Sequence, residues 1–373
     1  LNTPADQDPF RIAEPQHPQY GRLKKVLQQY IDFQEKGGWQ KLSGITRLKL
    51  GDTSDNVLKL REYLIVSGDL ASGPSNFYNP KVFDGTLEMA VRSFQARHGL
   101  EADGIVAGGT LEAINKSAAE RVKQIQVNME RWRLIPRDMP DTFILVNVPE
   151  YKLFIYENNK NAMEMRVVVG KEFNSTPIFR DELEYIVFSP YWNVPKSILL
   201  EEVLPAVYRD PSFLTKNHME VVEGYSDEAV RVNFWQVPWH QADEDNFPYR
   251  IRQRPGPKNP LGLVKFIFPN QHSIYLHDTP TDYLFNRVKR TYSHGCIRIE
   301  RPMDMAKYLL KNQKGWDENK IQKAMNAGEE LYINVRPKVP VFILYFTAWV
   351  DGQGRVNFRN DIYGYDARLA AAL

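Results

Sequence analysis

The only cysteine of this 373-residue chain, Cys296, lies in the run Tyr292-Ser293-His294-Gly295-Cys296-Ile297-Arg298. A second histidine, His277, closes the apolar run Ser273-Ile274-Tyr275-Leu276, 19 positions before the thiol. A thiol becomes a strong nucleophile when a neighbouring base takes its proton or a positive field favours the thiolate. His277, at a strand end, is suited to take that proton and return it to a leaving amine. Asp278 can orient the imidazole through its backbone carbonyl or its side chain. Gly295 permits a tight turn, so amides near Cys296 can donate to a developing oxyanion. Arg298 adds positive potential and can meet a substrate carboxylate. Spacing alone leaves other readings open, a buried structural cysteine or a zinc site on His277, His294 and Cys296. No second cysteine and no HxxE-type spacing support the metal. A papain-like protease has its cysteine first and its histidine far downstream, the reverse of the order here. Two histidines, a glycine and an arginine around one cysteine favour a catalytic thiol.

Such a pair needs a rigid sheet to bring it together. From Asp141 the hydrophobic pattern takes a strand period, with strands expected over 142–148, 152–156, 163–169, 185–188, 265–268 and 273–277, joined by hairpin connections. The stretch from Lys196 to about Gly262 interrupts this β domain. It opens with a helix capped by Ser197 and continues with Trp235, Trp239, the acidic run Asp243-Glu244-Asp245 and the turn residues Arg254-Pro255-Gly256-Pro257. An insertion of that length is expected to be a subdomain and a mobile cover over the site, with Tyr225 and Trp235 able to stack on a ligand. Pro302 fits the first turn of a helix through Met305, Leu309 and Leu310.

Upstream of the β domain the chain reads as helical. Residues 1–20 form a proline-rich extended arm, and a packing helix follows from Tyr20 to about Trp39. Residues 47–115 form a small module of three helices, capped by Ser54 or Asp55, closed by Gly99, and completed by a third helix capped at Thr110. A further helix runs from Ala118 to Trp132, and the tail 339–356 offers two strands around Asp351-Gly352-Gln353-Gly354. The domain boundaries are therefore 1–46 for arm and scaffold helix, 47–115 for the module and 116–140 for a second scaffold helix. The catalytic domain spans 141–336 with its insertion at 196–262, and 337–373 is a hairpin and tail packing on the scaffold. The fold class is multidomain α+β.

Composition agrees with a globular protein, 43% hydrophobic and 25% charged, and the net charge of +2 gives no reason to expect a nucleic-acid partner. No run of 18 or more apolar residues spans a membrane. The chain opens without Met or a signal peptide and reads as a processed or trimmed piece whose targeting segment has been lost.

Two stretches carry a family resemblance. Phe83-Asp84-Gly85 through Ala90-Val91-Arg92-Ser93-Phe94-Gln95, then Gly99-Leu100 and Asp103-Gly104, resembles the three-helix peptidoglycan-binding domain, with an inserted stretch at 71–82 rich in Gly, Pro and Asn. His277 with Ser293-His294-Gly295-Cys296-Ile297-Arg298 resembles the signature of the L,D-transpeptidase catalytic domain of the YkuD type, and the Val146–Tyr156 strands, Val168-Val169-Gly170-Lys171 and Thr176-Pro177 are similar to it too. With the insertion, the whole looks like the large periplasmic YcbB-type enzymes of Gram-negative bacteria. Glu300-Arg301-Pro302 departs from the pattern, where many members have Asn with an acidic residue.

The resemblance implies a YkuD-like β sandwich and a transferase of cell-wall biogenesis and cell shape. Its Cys296 would attack the bond between the third and fourth residues of a tetrapeptide stem and release D-alanine. The thioester would then pass to a diaminopimelate amine on a second stem, giving a 3→3 cross-link. It implies His277 as base and then acid, and Tyr292, Ser293, His294, Gly295 and Arg298 around the substrate. No cofactor and no metal are called for. Carbapenem sensitivity, peptidoglycan stems as donor and acceptor, and other cell-wall synthesis enzymes as partners follow in the same way. Lipoprotein attachment to the wall and L,D-carboxypeptidase action are the alternative uses of the same domain.

Overall fold

The computed structural model describes residues 14–15, 17–71, 79–136, 138–158, 160–224, 229–243 and 247–373. Most of the arm expected over residues 1–20 lies outside them, as do most of 71–82, Tyr225 and the Glu244-Asp245 part of the acidic run. The chain divides into two units, Leu1–Pro140 with Asn147–Glu150 and Tyr345–Leu373, and Asp141–Val146 with Tyr151–Leu344.

In the first unit, α1 (Pro18–Glu35) buries Tyr20, Leu23, Val26 and Tyr30 along one stripe, and Pro18 sits in its first turn, where no N–H is missed. Two short strands, β1 (Arg47–Leu48) and β2 (Val106–Ala107), pair antiparallel and close the small module. Its helices α2 (Asp55–Val66) and α3 (Gly85–Arg97) bury Val57, Leu60, Leu64, Leu87, Val91 and Phe94 in one core. Asp84 caps α3 by accepting the Leu87 N–H at 2.8 Å. The third helix, α4 (Gly108–Asn115), starts before Thr110, so that residue is not its cap. Thr110 is instead buried and accepts from Gln95 Nε2 at 3.1 Å, a tertiary bond that outbids the local one. α5 (Ala118–Arg133) opens on a capping box made by Ser117 and Glu120.

The second unit holds the β domain. Its early strands are β3 (Thr142–Asn147), β4 (Lys152–Glu157), β5 (Lys160–Gly170) and β6 (Phe179–Phe188). The insertion contributes β7 (Trp192–Asn193), β8 (Met219–Glu223), β9 (Val230–Val232) and β10 (Tyr249–Gln253), and β11 (Val264–Ile267), β12 (Leu276–His277), β13 (Thr291–Ser293), β14 (Ile297–Ile299) and β15 (Leu331–Leu344) complete the set. Nine strands form one sheet in the order β13-β5-β14-β12-β11-β6-β15-β3-β4, and β4 also pairs with β5, so the sheet curls back on itself. Not all connections are hairpins, because β12 with β14 and β13 with β5 run parallel. β15 pairs with β6 from Leu331↔Phe188 to Ile343↔Phe179. A boundary at 336/337 would cut this strand, whose first half, Leu331–Pro337, is largely exposed and whose two halves both pair with β6, across a register shift between Asn334 and Val339. Helix α6 (Pro302–Leu310) follows β14, with Pro302 in its first turn as expected, and α7 (Glu318–Met325) comes next.

The insertion is a subdomain with its own core. It starts with a single helical turn, Lys196–Ile198, continues through a π-helical stretch, Leu199–Val203, and then the helices Leu204–Arg209 and Phe213–Lys216. Ser197 lies inside the first turn, and the preceding position is Pro195, so no serine cap forms there. Its four strands, in the order β7-β10-β8-β9, pack Val221 and Ile251 against Ile198, Val203, Val207 and Leu214.

The C-terminal residues return to the first unit. A hairpin of β16 (Ala348–Val350) and β17 (Val356–Phe358) is stitched to α5 through polar bonds that leave little slack. Asn128, fully buried, accepts the Thr347 N–H at 2.8 Å and donates to its hydroxyl at 2.7 Å, and Gln124 donates to Arg359 O at 2.9 Å. Among the described residues no helix is long and apolar enough to cross a membrane.

Candidate active site

The parallel pairing of β12 with β14, in register Leu276↔Ile297 and His277↔Arg298, brings the His277 strand alongside the strand that follows Cys296. The turn 294–296 joins β13 to β14, and both of those strands bond to β5. Gly295 has φ +115°, a backbone state that side chains avoid, which explains the glycine before the thiol. Ser293 braces the same turn: its hydroxyl donates to Cys296 O at 2.5 Å and accepts the Gly295 N–H at 3.2 Å. From beneath, the buried Thr176 donates to Gly295 O at 2.7 Å and accepts the Gly170 N–H at 3.0 Å. Any side chain at Gly170 would run into the Asn174 carbonyl, so the loop that delivers Thr176 needs that glycine. Ser293 therefore shapes the turn, and its hydroxyl takes up the Gly295 N–H, one of the amides near Cys296.

His277 is buried, and its Nδ1 sits 2.5 Å from Asp278 O. A carbonyl only accepts, so Nδ1 carries the proton and Nε2 is left bare as a base. The Asp278 carboxylate takes no part in this contact; it accepts the Leu263 and Thr279 N–H groups at 2.8 and 2.7 Å. Gly262 makes room for it, since a side chain there would collide with the carboxylate. Burial, followed by the charge of Arg298 and a smaller effect of Lys265, lowers the His277 pKa to about 3. Lys265 is the cross-strand neighbour of His277 on β11 and pairs with Glu330 at 3.4 Å. The imidazole is thus held neutral between two cations, the state a general base needs.

Cys296 is partly buried, and its thiol points to Ser273 O at 3.7 Å. Burial raises its pKa, opposed by hydrogen bonds from the backbone and the hydroxyl of Tyr275 and by Arg298. Burial also keeps the Tyr275 hydroxyl protonated, so it is a donor toward the sulfur. Tyr275 is a site residue that the sequence reading passed over as part of an apolar run. Strand alternation was the available signal, because residues 275 and 277 must share a face, and their rings lie 5.7 Å apart.

Of the other expected residues, Arg298 is half-buried beside His277 and donates to Thr281 Oγ1 at 3.0 Å, so its reach is toward the imidazole's surroundings. Tyr292 is exposed on the rim. His294 pairs with Glu202 of the insertion, with Nε2 2.9 Å from Oε1. The described residues contain no group of three His, Cys, Asp or Glu side chains placed to hold a metal ion, the set His277, His294 and Cys296 included. Glu300, at the departure from the family pattern, accepts the Arg166 N–H at 3.0 Å and its Nε at 2.8 Å, tying β14 to β5. Trp235 stands out from the insertion, 78% exposed.

A buried histidine, a partly buried thiol and a braced glycine turn thus lie on adjoining strands of one sheet. The L,D-transpeptidase catalytic domain family matches residues 141–343, and this chain belongs to it. A peptidoglycan-binding domain family matches residues 53–114. A Haemophilus influenzae protein described as an L,D-transpeptidase is 36% identical over 250 residues, 67% of this chain and 49% of that protein. The chain thus spans about half the length of this curated relative. Among solved structures, an L,D-transpeptidase from Mycobacterium smegmatis aligns at 10% identity and a TM-score of 0.27 over 55% of this chain and 58% of that one. One from Xylanimonas cellulosilytica aligns at 12% identity and a TM-score of 0.25 over 82% and 100%.

Proposed function

We propose that this protein cross-links peptidoglycan stems through a thioester on Cys296, releasing D-alanine from a tetrapeptide donor and forming a 3→3 bond to a diaminopimelate amine. The observation that carries this reading is the bare Nε2 of a neutral His277, fixed by the Asp278 carbonyl, on the strand next to the thiol. The thiol adds to the carbonyl of the third stem residue and its proton passes to Nε2. The developing oxyanion is met by the Tyr275 hydroxyl and the Cys296 N–H, since Ser293 holds the Gly295 amide. Collapse breaks the amide bond, and His277 returns the proton to the departing D-alanine nitrogen. The acceptor amine then attacks the thioester, loses its proton to Nε2, and the sulfur leaves and regains it. The thioester preserves the energy of the broken bond, so no external energy source enters. Strained β-lactams of the carbapenem class would acylate the same sulfur. The small module would hold the enzyme on its wall substrate in the periplasm, and other wall-synthesis enzymes are its expected partners.

Incubation with purified disaccharide-tetrapeptide tests the reading. A dimer one D-alanine lighter than two donors, with a 3→3 bond by fragmentation, is the expected product. Tripeptide alone would refute it in favour of carboxypeptidase action, and capture of a lysine-bearing peptide in preference to the stem would refute it in favour of protein attachment.

A further inference from the structure

Glu202 lies in the π-helical stretch Leu199–Val203, a rare backbone form that recurs at functional positions. Its Oε1 is 2.9 Å from Nε2 of His294, two residues before the thiol. Both side chains are partly open to solvent, 55% for Glu202 and 30% for His294. Among the described residues no lysine or arginine pairs with this carboxylate. The surroundings of the thiol are consequently unequal in charge. Arg298 and Lys265 lie on the His277 row of the sheet, and the insertion side presents a carboxylate.

The two half-reactions need different recognition. Acylation requires only that a stem carbonyl reach the sulfur. Transfer requires that a primary amine, an ammonium in neutral water, outcompete water for the thioester. We propose that Glu202 is the acceptor-recognition residue: Oε1 holds His294 while Oε2 receives the side-chain ammonium of the acceptor stem. This rests on the cross-linking reading above and names the residue that would give it acceptor specificity. The ammonium is steered toward the thiol by charge, loses one proton to water to become the attacking amine, and passes a second to His277 Nε2 as the C–N bond forms and the C–S bond breaks, that second proton returning to the sulfur; the pairing with His294 keeps the carboxylate aimed at the turn.

The test is the partition of the thioester. With disaccharide-tetrapeptide donor and a diaminopimelate-containing tripeptide acceptor, the ratio of dimer to hydrolysed tripeptide is measured for the parent, Glu202→Ala, Glu202→Gln and Glu202→Asp. D-alanine release is followed in the same samples to normalise for acylation. Loss of one charge-assisted contact predicts a fall in the ratio of about 10- to 100-fold for Ala and Gln, largely rescued by Asp. Hydroxylamine, an uncharged amine, should be captured equally by all four proteins, and salt should lower the dimer ratio of the parent but not of Glu202→Gln. A ratio in Glu202→Ala within twofold of the parent overturns the assignment. So does a loss of D-alanine release in proportion to dimer, which would make the contact a structural latch. If the parent captures hydroxylamine but forms no dimer, the cross-linking reading itself has failed.

Discussion

Replacing Tyr275 by Phe removes one oxygen and leaves the ring in place, so it isolates the donor facing Cys296. The phenol is buried and stays protonated, and its hydrogen bond to the sulfur works against the burial that raises the thiol pKa. A hydrogen bond to a charged group contributes about 1.5–3 kcal/mol. Its loss therefore makes the thiolate harder to form and slows acylation at fixed pH by about 10- to 150-fold. Loss of a donor to the oxyanion acts in the same direction on the turnover rate. Two measurements follow the effect separately: the pH dependence of Cys296 alkylation by iodoacetamide, and the rate of carbapenem adduct formation by mass spectrometry. Thermal unfolding serves as the control, since the ring keeps its packing. The reasoning is refuted if Tyr275→Phe acylates within threefold of the parent and its alkylation profile does not move to higher pH.

Cys296→Ala is expected to abolish both turnover and the covalent mass shift with a carbapenem, while circular dichroism and melting stay as in the parent; a surviving adduct would assign the nucleophile elsewhere. His277 binds its proton in the unfolded chain near the ordinary histidine value of 6.5 but in the fold only near 3. The unfolded state therefore takes up the extra proton, and stability falls as pH drops from about 6.5 toward 3. Chemical denaturation across that range should show His277→Gln losing part of this acid sensitivity. In the other unit, Asn128→Ala leaves the Thr347 N–H without its 2.8 Å acceptor and should cost about 2–3 kcal/mol in denaturant titration, with no change in carbapenem acylation of the surviving folded protein.

Much of the helical part was legible because its signals are local. Pro302 in a first turn and the left-handed Gly99 that closes the helix before it each act within one helical turn. Thr110 and Ser197 misled for the matching reason: cap-type residues also make tertiary bonds or sit inside a turn, and sequence does not say which contact wins. Strands were harder. β15 runs through Pro337 and across a register shift because β6 lies beside both of its halves, and the insertion's four short strands exist only as a sheet over a shared core.

For the site, the sequence alone put forward the candidate thiol and the candidate base, because a lone cysteine and a histidine closing an apolar run are matters of residue type and order. It also determined the glycine, since the turn before Cys296 has a backbone that few other residues adopt. Only the tertiary structure decided how these groups are set. The Asp278 carbonyl rather than its carboxylate fixes the His277 tautomer, Tyr275 supplies the donor, and Glu202 reaches His294 from a segment more than 90 residues away in the chain. Those choices depend on strand register and on where an inserted core folds back. Both are set by pairing and packing between distant residues, which no local pattern encodes.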